Sequence, residues 1–286
     1  MAVDIPASPP PSPTGSRAQD SRTIAVTARF AFEFEHSADA LLQFEAAALP
    51  EQRIDHAEAR ISANEHRASI PAHDDMGSRI WLRASGRVEV DYQAQVTPNR
   101  IVSPLRDLAA LPTHRLPGET VQYLIDSRYC HASEFLDFTE SEFAGTSGGA
   151  RIAAIREWVK QHVNYEPGAS GPATTATDTF HAGAGICRDF AHLVLTLARA
   201  SAIPARYVAC YAPGVKPQDF HAVAQVFLAD PSVPGGGLWQ LVDATGMADL
   251  ARAAIIGVGR DAADVSFLTT FAPTQFLYSE VDVRKL

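Results

Sequence analysis

The hydrophobic periodicity of this sequence changes once along the chain, and that change constrains the fold more than any other feature. From residue 23 to residue 97, apolar residues alternate with polar ones, a period of two that is typical of half-buried strands. The clearest stretch, "TIAVTARFAFEFE", has its apolar positions at Ile24, Val26, Phe30, Phe32 and Phe34. After residue 119, helical patterns precede three short strand patterns. The sequence therefore predicts an α+β chain with a β-rich N-terminal domain.

A second alternating segment, "RIWLRASGRVEVDYQAQV", spans residues 79–96. Ser85-Gly86 lies inside it and has the composition of a tight turn. We therefore expect an antiparallel hairpin whose two arms carry Ile80, Leu82, Val88, Val90, Tyr92 and Val96.

Proline-rich stretches indicate where the domains are bounded. The first 22 residues contain five prolines and four serines, which predicts a disordered tail at 1–22. The stretch "TPNRIVSPLRDLAALPTHRLPGET" predicts a linker at 98–118 between the β-rich domain at 23–97 and a second domain at 119–286.

The second domain reads as helices followed by an antiparallel meander. "GGARIAAIREWVKQHVNYE" has apolar residues at helical spacing. A second helix begins at Cys187 and ends before Pro204, which cannot continue a helix. Its expected buried stripe is Phe190, Leu193, Val194 and Leu197. The segments "ARYVACYA", "HAVAQVFLA" and "LWQLVDAT" follow as three strands.

Composition excludes several functional classes. The 286 residues carry a net charge of -9, which leaves no basic surface for nucleic acid or anionic lipid. No apolar run approaches the roughly 20 residues that cross a bilayer, and the N-terminus lacks the basic and apolar regions of a secretory signal. The three cysteines form no CxxC pair, which argues against a disulfide framework or a zinc module. We therefore expect a cytoplasmic protein with no nucleic-acid or membrane partner.

Three residues with complementary chemistry stand at the ends of predicted elements: Cys187 opens a helix, His221 opens a strand, and Asp243 closes the next strand. A nucleophilic thiol needs a base, and the base needs an acceptor on its other ring nitrogen. Because antiparallel strands place the start of one beside the end of the next, His221 and Asp243 are expected to meet.

The position of Cys187 also suits a nucleophile. In the first turn of a helix, free backbone N–H groups and the positive end of the helix dipole favour a thiolate and can stabilise an oxyanion. Gly183 and Gly185 let the chain turn sharply and let a substrate carbonyl approach the backbone.

Other interpretations of these residues compete with this one. A lone cysteine before an apolar helix is more often a core residue, and the expectation for Cys130 and Cys210 is structural burial. His192 lies five residues after Cys187, about 500° around a helix, so it points away and is not expected to act as the base. The same geometry argues against a metal site, and Asp189 is expected to cap the helix.

Three segments of the sequence resemble the core motifs of a known family. "GAGICRDFAHLVLTLARASAIPARYVACY", "DFHAVAQVFL" and "LWQLVDATG" look like the three core motifs of bacterial transglutaminase-like proteins. The resemblance implies a papain-like α+β core in 119–286, with Cys187 as nucleophile, His221 as general base and Asp243 as orienting acid. Many members read "HAW" with an acid two positions later, whereas this chain has Val223 and then Gln225.

The resemblance implies a cysteine-nucleophile enzyme that hydrolyses peptide or amide bonds through an acyl-enzyme, with a peptide, protein or small amide as substrate. Two alternatives stay open, namely protein-glutamine transglutaminase activity and a non-catalytic binding module on the same fold. No cofactor and no metal are implied. Tyr165 and Gln218 are the candidates for a side-chain oxyanion donor.

Overall fold

The computed structural model describes residues 22–62, 64–100 and 103–286, so residues 1–21 of the predicted tail and residues 101–102 of the predicted linker lie outside the described residues. The strands are β1 (Ile24–Leu42), β2 (Gln52–Ile61), β3 (His66–Pro71), β4 (Ser78–Pro98), β5 (Asn164–Tyr165), β6 (Ala184–Gly185), β7 (Ala205–Tyr211), β8 (His221–Ala229), β9 (Gly237–Val242), β10 (Ala254–Gly259), β11 (Leu268–Thr270) and β12 (Thr274–Lys285). The α-helices are α1 (Leu136–Glu142), α2 (Gly148–His162), α3 (Ala176–Ala182) and α4 (Cys187–Ala200).

The N-terminal sheet is built on β1 and β4, two long antiparallel strands that pair along most of their length. β2 and β3 pair with the outer edge of β4, and β11 and β12 pair with the outer edge of β1. The predicted apolar positions of β1 are all buried: Ile24, Val26, Phe30, Phe32 and Phe34. The predicted β-rich N-terminal region is therefore confirmed, since a period of two places one set of side chains on a single covered face.

The hairpin turn predicted at Ser85-Gly86 is wrong, because β4 runs through this dipeptide without reversing. Phe34 pairs with Gly86 and Ala38 pairs with Ala84, so three residues of β1 oppose one residue of β4. Gly86 has a φ of 67°, which an L side chain rarely adopts. The turn-like composition therefore marks a β-bulge, where the ladder absorbs extra residues.

The second sheet has the strand order β10–β7–β8–β9 within the described residues. The predicted meander corresponds to β7, β8 and β9, each antiparallel to the next. β10 pairs with the free edge of β7 and was not predicted, because its short apolar run "AIIGVG" does not separate strand from buried helix by periodicity alone.

Helix α4 packs against β8 and β7 and forms the centre of the second core. Its predicted stripe of Phe190, Leu193, Val194 and Leu197 is buried, and so is nearly every other residue after its first turn. A helix covered on all sides has its ends fixed by the surrounding elements, so the position of its first residue is well defined. No helix in the described part of the chain is long and apolar enough to cross a bilayer.

The last two strands complete the N-terminal sheet, although the sequence analysis placed all of 119–286 in the second domain. β12 pairs with β1 from Ile24 to Phe34, and its Val281 and Val283 are buried in the N-terminal core. This pairing covers N–H and C=O groups that a free edge of β1 would expose. The two structural units are therefore interleaved along the chain.

Buried polar contacts join the two sheets. The Gln52 amide donates to the carbonyl oxygens of Ala47 (2.6 Å) and Ile255 (2.8 Å), and its oxygen accepts the Ile255 N–H at 2.7 Å. The Tyr211 hydroxyl donates to the Phe44 carbonyl at 2.6 Å. These bonds hold β10 and β7 of the second sheet against the loop that follows β1.

We expect Gln52→Leu to lower the free energy of unfolding by about 2–4 kcal/mol, because it removes the side-chain partner of the buried Ile255 N–H and of the buried Ala47 carbonyl, at roughly 1–3 kcal/mol each. Urea titration followed by circular dichroism measures this loss. Gln93→Leu is the matched control, since Gln93 is exposed on β4, and its effect should stay within about 0.5 kcal/mol. Equal effects of the two substitutions would contradict this account of the interface.

Candidate active site

Cys187 is the first residue of α4, and the segment before it fixes its position. Gly183, with a φ of 62°, ends α3 in the left-handed conformation that favours glycine. Ala184 and Gly185 then pair in parallel with Asn164 and Tyr165. The chain therefore arrives at Cys187 along a fixed direction, with the N-terminal end of α4 facing a cleft.

Asp189 caps this helix, as the sequence analysis expected. Its buried carboxylate accepts the Ile186 N–H at 2.9 Å, the Ser170 hydroxyl, and the Arg188 guanidinium at 2.9 Å. Gly185 is required here because a Cβ at this position would lie 2.7 Å from the Asp189 Cβ. Gly185 is therefore needed for packing beside the Asp189 carboxylate. From the sequence, its expected role was to leave room for a substrate carbonyl.

His221 and Asp243 come together at the end of the β8–β9 pair. Ala224 pairs with Val242, so Asp243, the next residue, is the diagonal neighbour of His221 on the same face. The Nε2 atom of His221 lies 3.3 Å from Oδ2 of Asp243, and both side chains are almost fully buried.

The thiol of Cys187 is the remaining neighbour of the His221 imidazole. Cys187 lines the same cleft and lies close enough to the ring to act on its charge. Because Nε2 faces Asp243, and Nδ1 is buried with no hydrogen-bond partner among the described groups, Nδ1 is the nitrogen left for the thiol. The structure therefore brings together all three residues that the sequence analysis singled out.

Hydrogen bonds decide the charge states of this pair. Burial raises the pKa of Asp243, but bonds with His221, Thr245 and the Ala248 N–H outweigh it and leave the pKa below its usual value. Burial lowers the pKa of His221, and the bonds with Asp243 and Cys187 overcome this and raise it to about 9. At neutral pH the imidazole is therefore protonated and Asp243 is ionised.

The histidine of α4 and the other two cysteines are buried, which indicates structural roles. His192 is fully buried, its Nε2 accepts the Ala262 N–H at 3.1 Å, and burial lowers its pKa to about 3. Burial raises the pKa of the Cys130 thiol to about 11 and that of Cys210 still further. Of the three cysteines, Cys187 alone is partly exposed.

The site opens into a cleft of about 660 Å³ that both structural units line. The second unit supplies Tyr165, the catalytic candidates and Asp219, while Phe276 and Ser279 come from β12 of the N-terminal sheet. The residues that the structure describes contain no group of three or more His, Cys, Asp or Glu side chains suited to a metal ion.

Sequence reasoning left the side-chain oxyanion donor open between Tyr165 and Gln218, and the structure separates them. Tyr165 lines the cleft with Cys187, and the two residues lie close enough for Cys187 to act on the pKa of the Tyr165 hydroxyl. Gln218 donates to the Ala212 carbonyl at 3.2 Å and does not line the cleft. Asp219 and the aromatic walls were missed, because an exposed Asp in a loop and Phe residues in a remote strand carry no local signal of a shared cleft.

Comparison with known proteins agrees with this architecture. Residues 139–244, which include all three residues of the site, match the model of the transglutaminase-like superfamily. The chain therefore contains a transglutaminase-like core. A crystal structure of a proposed cysteine protease from Cytophaga hutchinsonii superposes with a TM-score of 0.85 at 26% identity, over 92% of this chain and 90% of that one.

A curated relative matches over a smaller part of the chain. The uncharacterized protein ML0607 of Mycobacterium leprae is 31% identical over 137 residues, which are 45% of this chain and 44% of that protein. The chain therefore matches less than half the length of this relative. Together the family match and the Cytophaga structure support a cysteine-type enzyme on a transglutaminase-like fold.

We expect Asp243→Asn to lower the pKa of His221 from about 9, because the substitution removes the charge and weakens the hydrogen bond that stabilise the imidazolium. The nitrogen chemical shifts of a ¹⁵N-histidine-labelled sample, followed against pH, measure the change. Thr245→Val is the control, since it removes a hydroxyl from Asp243 and keeps the carboxylate beside His221. An unchanged midpoint in Asp243→Asn would contradict the described role of Asp243.

Proposed function

We propose that this protein is a cysteine-nucleophile acyl-transfer enzyme that hydrolyses peptide or amide bonds through Cys187, His221 and Asp243. The observation that carries the proposal is that Cys187 of α4 and His221 of β8 line one open cleft, while Asp243 at the end of β9 is buried behind His221 and lies 3.3 Å from its Nε2. A structural cysteine has no need of a buried, carboxylate-oriented histidine beside it, and a nucleophile requires one.

The proposed reaction has two halves. The Cys187 thiolate attacks the substrate carbonyl, and the tetrahedral intermediate collapses when the protonated His221 gives its proton to the leaving amine. Water, deprotonated by the now neutral His221, then attacks the thioester, releases the carboxylic acid and restores the thiolate. Asp243 keeps the imidazole oriented and compensates its positive charge throughout.

Tyr165 fits the role of oxyanion donor. It lines the same cleft as the Cys187 thiol and lies near the first turn of α4, so its proton is available to a group bound in the cleft. Burial, together with the negative charge of Cys187, raises the pKa of Tyr165 to about 12, so the hydroxyl keeps its proton at neutral pH. The Cys187 N–H and the Tyr165 hydroxyl would then both face the developing oxyanion.

The first test is the reactivity of Cys187. Iodoacetamide should label Cys187 of the native protein at pH 7 faster than it labels the same residue in the denatured chain, and His221→Ala should abolish that advantage. Cys130 and Cys210 are internal controls, because both are buried and should label only after unfolding. Mass spectrometry of the digested protein reports each site, and equal rates for native and denatured Cys187 would rule out an activated nucleophile.

Substrate turnover is the second test. Incubation with a peptide library should yield an acyl adduct on Cys187 by mass spectrometry, and Cys187→Ala should lose it. Incorporation of a labelled amine into a glutamine-containing protein would instead favour transglutaminase activity. A protein whose measurable functions all persist in Cys187→Ala would be a binding module on the same fold.

We expect Tyr165→Phe to reduce kcat for the acylated substrates by about 10²–10³-fold, the usual loss of one oxyanion donor, with little change in KM. Steady-state kinetics measures the split between the two constants. Tyr207→Phe is a matched control, because Tyr207 also lines the cleft and no interaction of its hydroxyl with the Cys187 backbone is seen. A similar loss in both variants would point to general disturbance of the cleft.

A further inference from the structure

The cleft in front of Cys187 carries a carboxylate with no cationic partner among the described residues. Asp219 is exposed at the mouth of the cleft, two residues before His221. Its Oδ1 accepts the Phe220 N–H at 2.8 Å and the Ser279 hydroxyl at 3.5 Å. Partial burial raises the pKa of Asp219, and the groups that oppose this are these two neutral donors, with no Arg or Lys of the described chain among them. The carboxylate is thus held in place by neutral donors and directed at solvent within the cleft.

The other charges along the cleft are matched by partners. The Arg188 guanidinium binds Asp189 at 2.9 Å and the Gly171 carbonyl at 2.9 Å, so it is occupied by the cap of α4. The protonated His221 faces Asp243. Asp219 is therefore the carboxylate of the cleft wall that is left to interact with a bound molecule.

Aromatic rings line the same cleft as this carboxylate. Phe220 stacks on Phe267, with ring centroids 4.8 Å apart and planes 10° apart. Phe276 of β12 meets Phe267 edge to face at 5.8 Å and is 47% exposed. A carboxylate beside open aromatic faces matches a positively charged group on an apolar stem, since the charge pairs with the acid and the stem packs on the rings.

The position of Asp219 indicates which half of a substrate it meets. His221 must contact the leaving amine to give it a proton, so the amine half lies on the His221 side of Cys187. Asp219 lies two residues before His221, which opens β8, so it stands on the His221 side of the cleft. In the reverse reaction, an amine that attacks the acyl-enzyme would occupy the same place, because acylation and its reversal pass through the same transition state.

We propose that the cleft selects an amine component that carries a positive charge on an apolar stem, such as a basic residue on the leaving side of the scissile bond, and that Asp219 and Phe276 recognise it. This inference rests on the proposed function, because it assigns the amine half by the roles of Cys187 and His221. It makes the N-terminal sheet part of the specificity of the site, since Phe276 comes from β12.

The test needs no known substrate. Methyl and 2-aminoethyl methanethiosulfonate both form a mixed disulfide with a thiolate and release methanesulfinate, and they differ in that the second carries an ammonium group. The wild-type protein should react with the cationic reagent at Cys187 about 5-fold faster, relative to the neutral reagent, than Asp219→Asn does, the size expected for one partly screened charge a few ångströms away. Asp219→Lys should reverse the preference.

Asp137→Asn is the matched control, because it removes one negative charge from the protein at a site outside the cleft. Asp137 is exposed on α1 and does not line the cleft. This variant should keep the wild-type ratio. Phe276→Leu should keep the wild-type ratio for these short reagents. It should lower the turnover of peptides with Lys after the scissile bond relative to that of peptides with norleucine at the same position.

The outcomes separate the two proposals. If Asp219→Asn keeps the wild-type ratio while Cys187 remains more reactive than in the denatured chain, the selection of cations is overturned and the proposed function stands. If Cys187 reacts no faster than in the denatured chain with either reagent, the proposed function and the inference both fail. A fall in the ratio confined to the Asp219 variants supports the inference.

Discussion

The buried pair of His221 and Asp243 is the contact on which the arrangement of this molecule depends. Two ionised groups removed from water cost several kcal/mol each unless further hydrogen bonds compensate them. Here the loop after β9 supplies the Thr245 and Ala248 N–H groups to Asp243, and the thiol of Cys187 completes the surroundings of His221. The pair therefore ties the end of one strand, the start of another and the first turn of α4 into one unit.

That unit is rigid because a packed core lies beneath it. α4 is buried almost all round, and its first turn is fixed by the Asp189 carboxylate and by the short parallel pairing of β5 with β6. Cys187, partly exposed at the end of such a helix, keeps its position while the cleft in front of it stays open. The thiols of Cys130 and Cys210 are buried and have no access to the cleft.

The interleaving of the two sheets gives the N-terminal region a place in the site. β12 joins the far end of the chain to the first strand, and this return carries Phe276 and Ser279 to the mouth of the cleft. Gln52 and Tyr211 hold the sheets together through buried bonds that would be costly to leave unmade. The relative position of the sheets, and hence the width of the cleft, is thus part of the same hydrogen-bonded and apolar core.

Sequence patterns that act over a few residues determined much of this protein. Period-two alternation gave β1, helical spacing gave α2 and α4, and residue types at element ends marked Cys187, His221 and Asp243. The same local patterns wrongly predicted a turn at Ser85-Gly86. A bulge and a turn both favour glycine at positive φ, and they differ only in whether the partner strand continues alongside. Only the tertiary structure decided that β12 completes the first sheet, that Tyr165 lines the cleft with Cys187, and that Asp219 shares this cleft with Phe276. Those relations join residues far apart in the chain, and they follow from long-range packing, which leaves no periodic signature in the sequence.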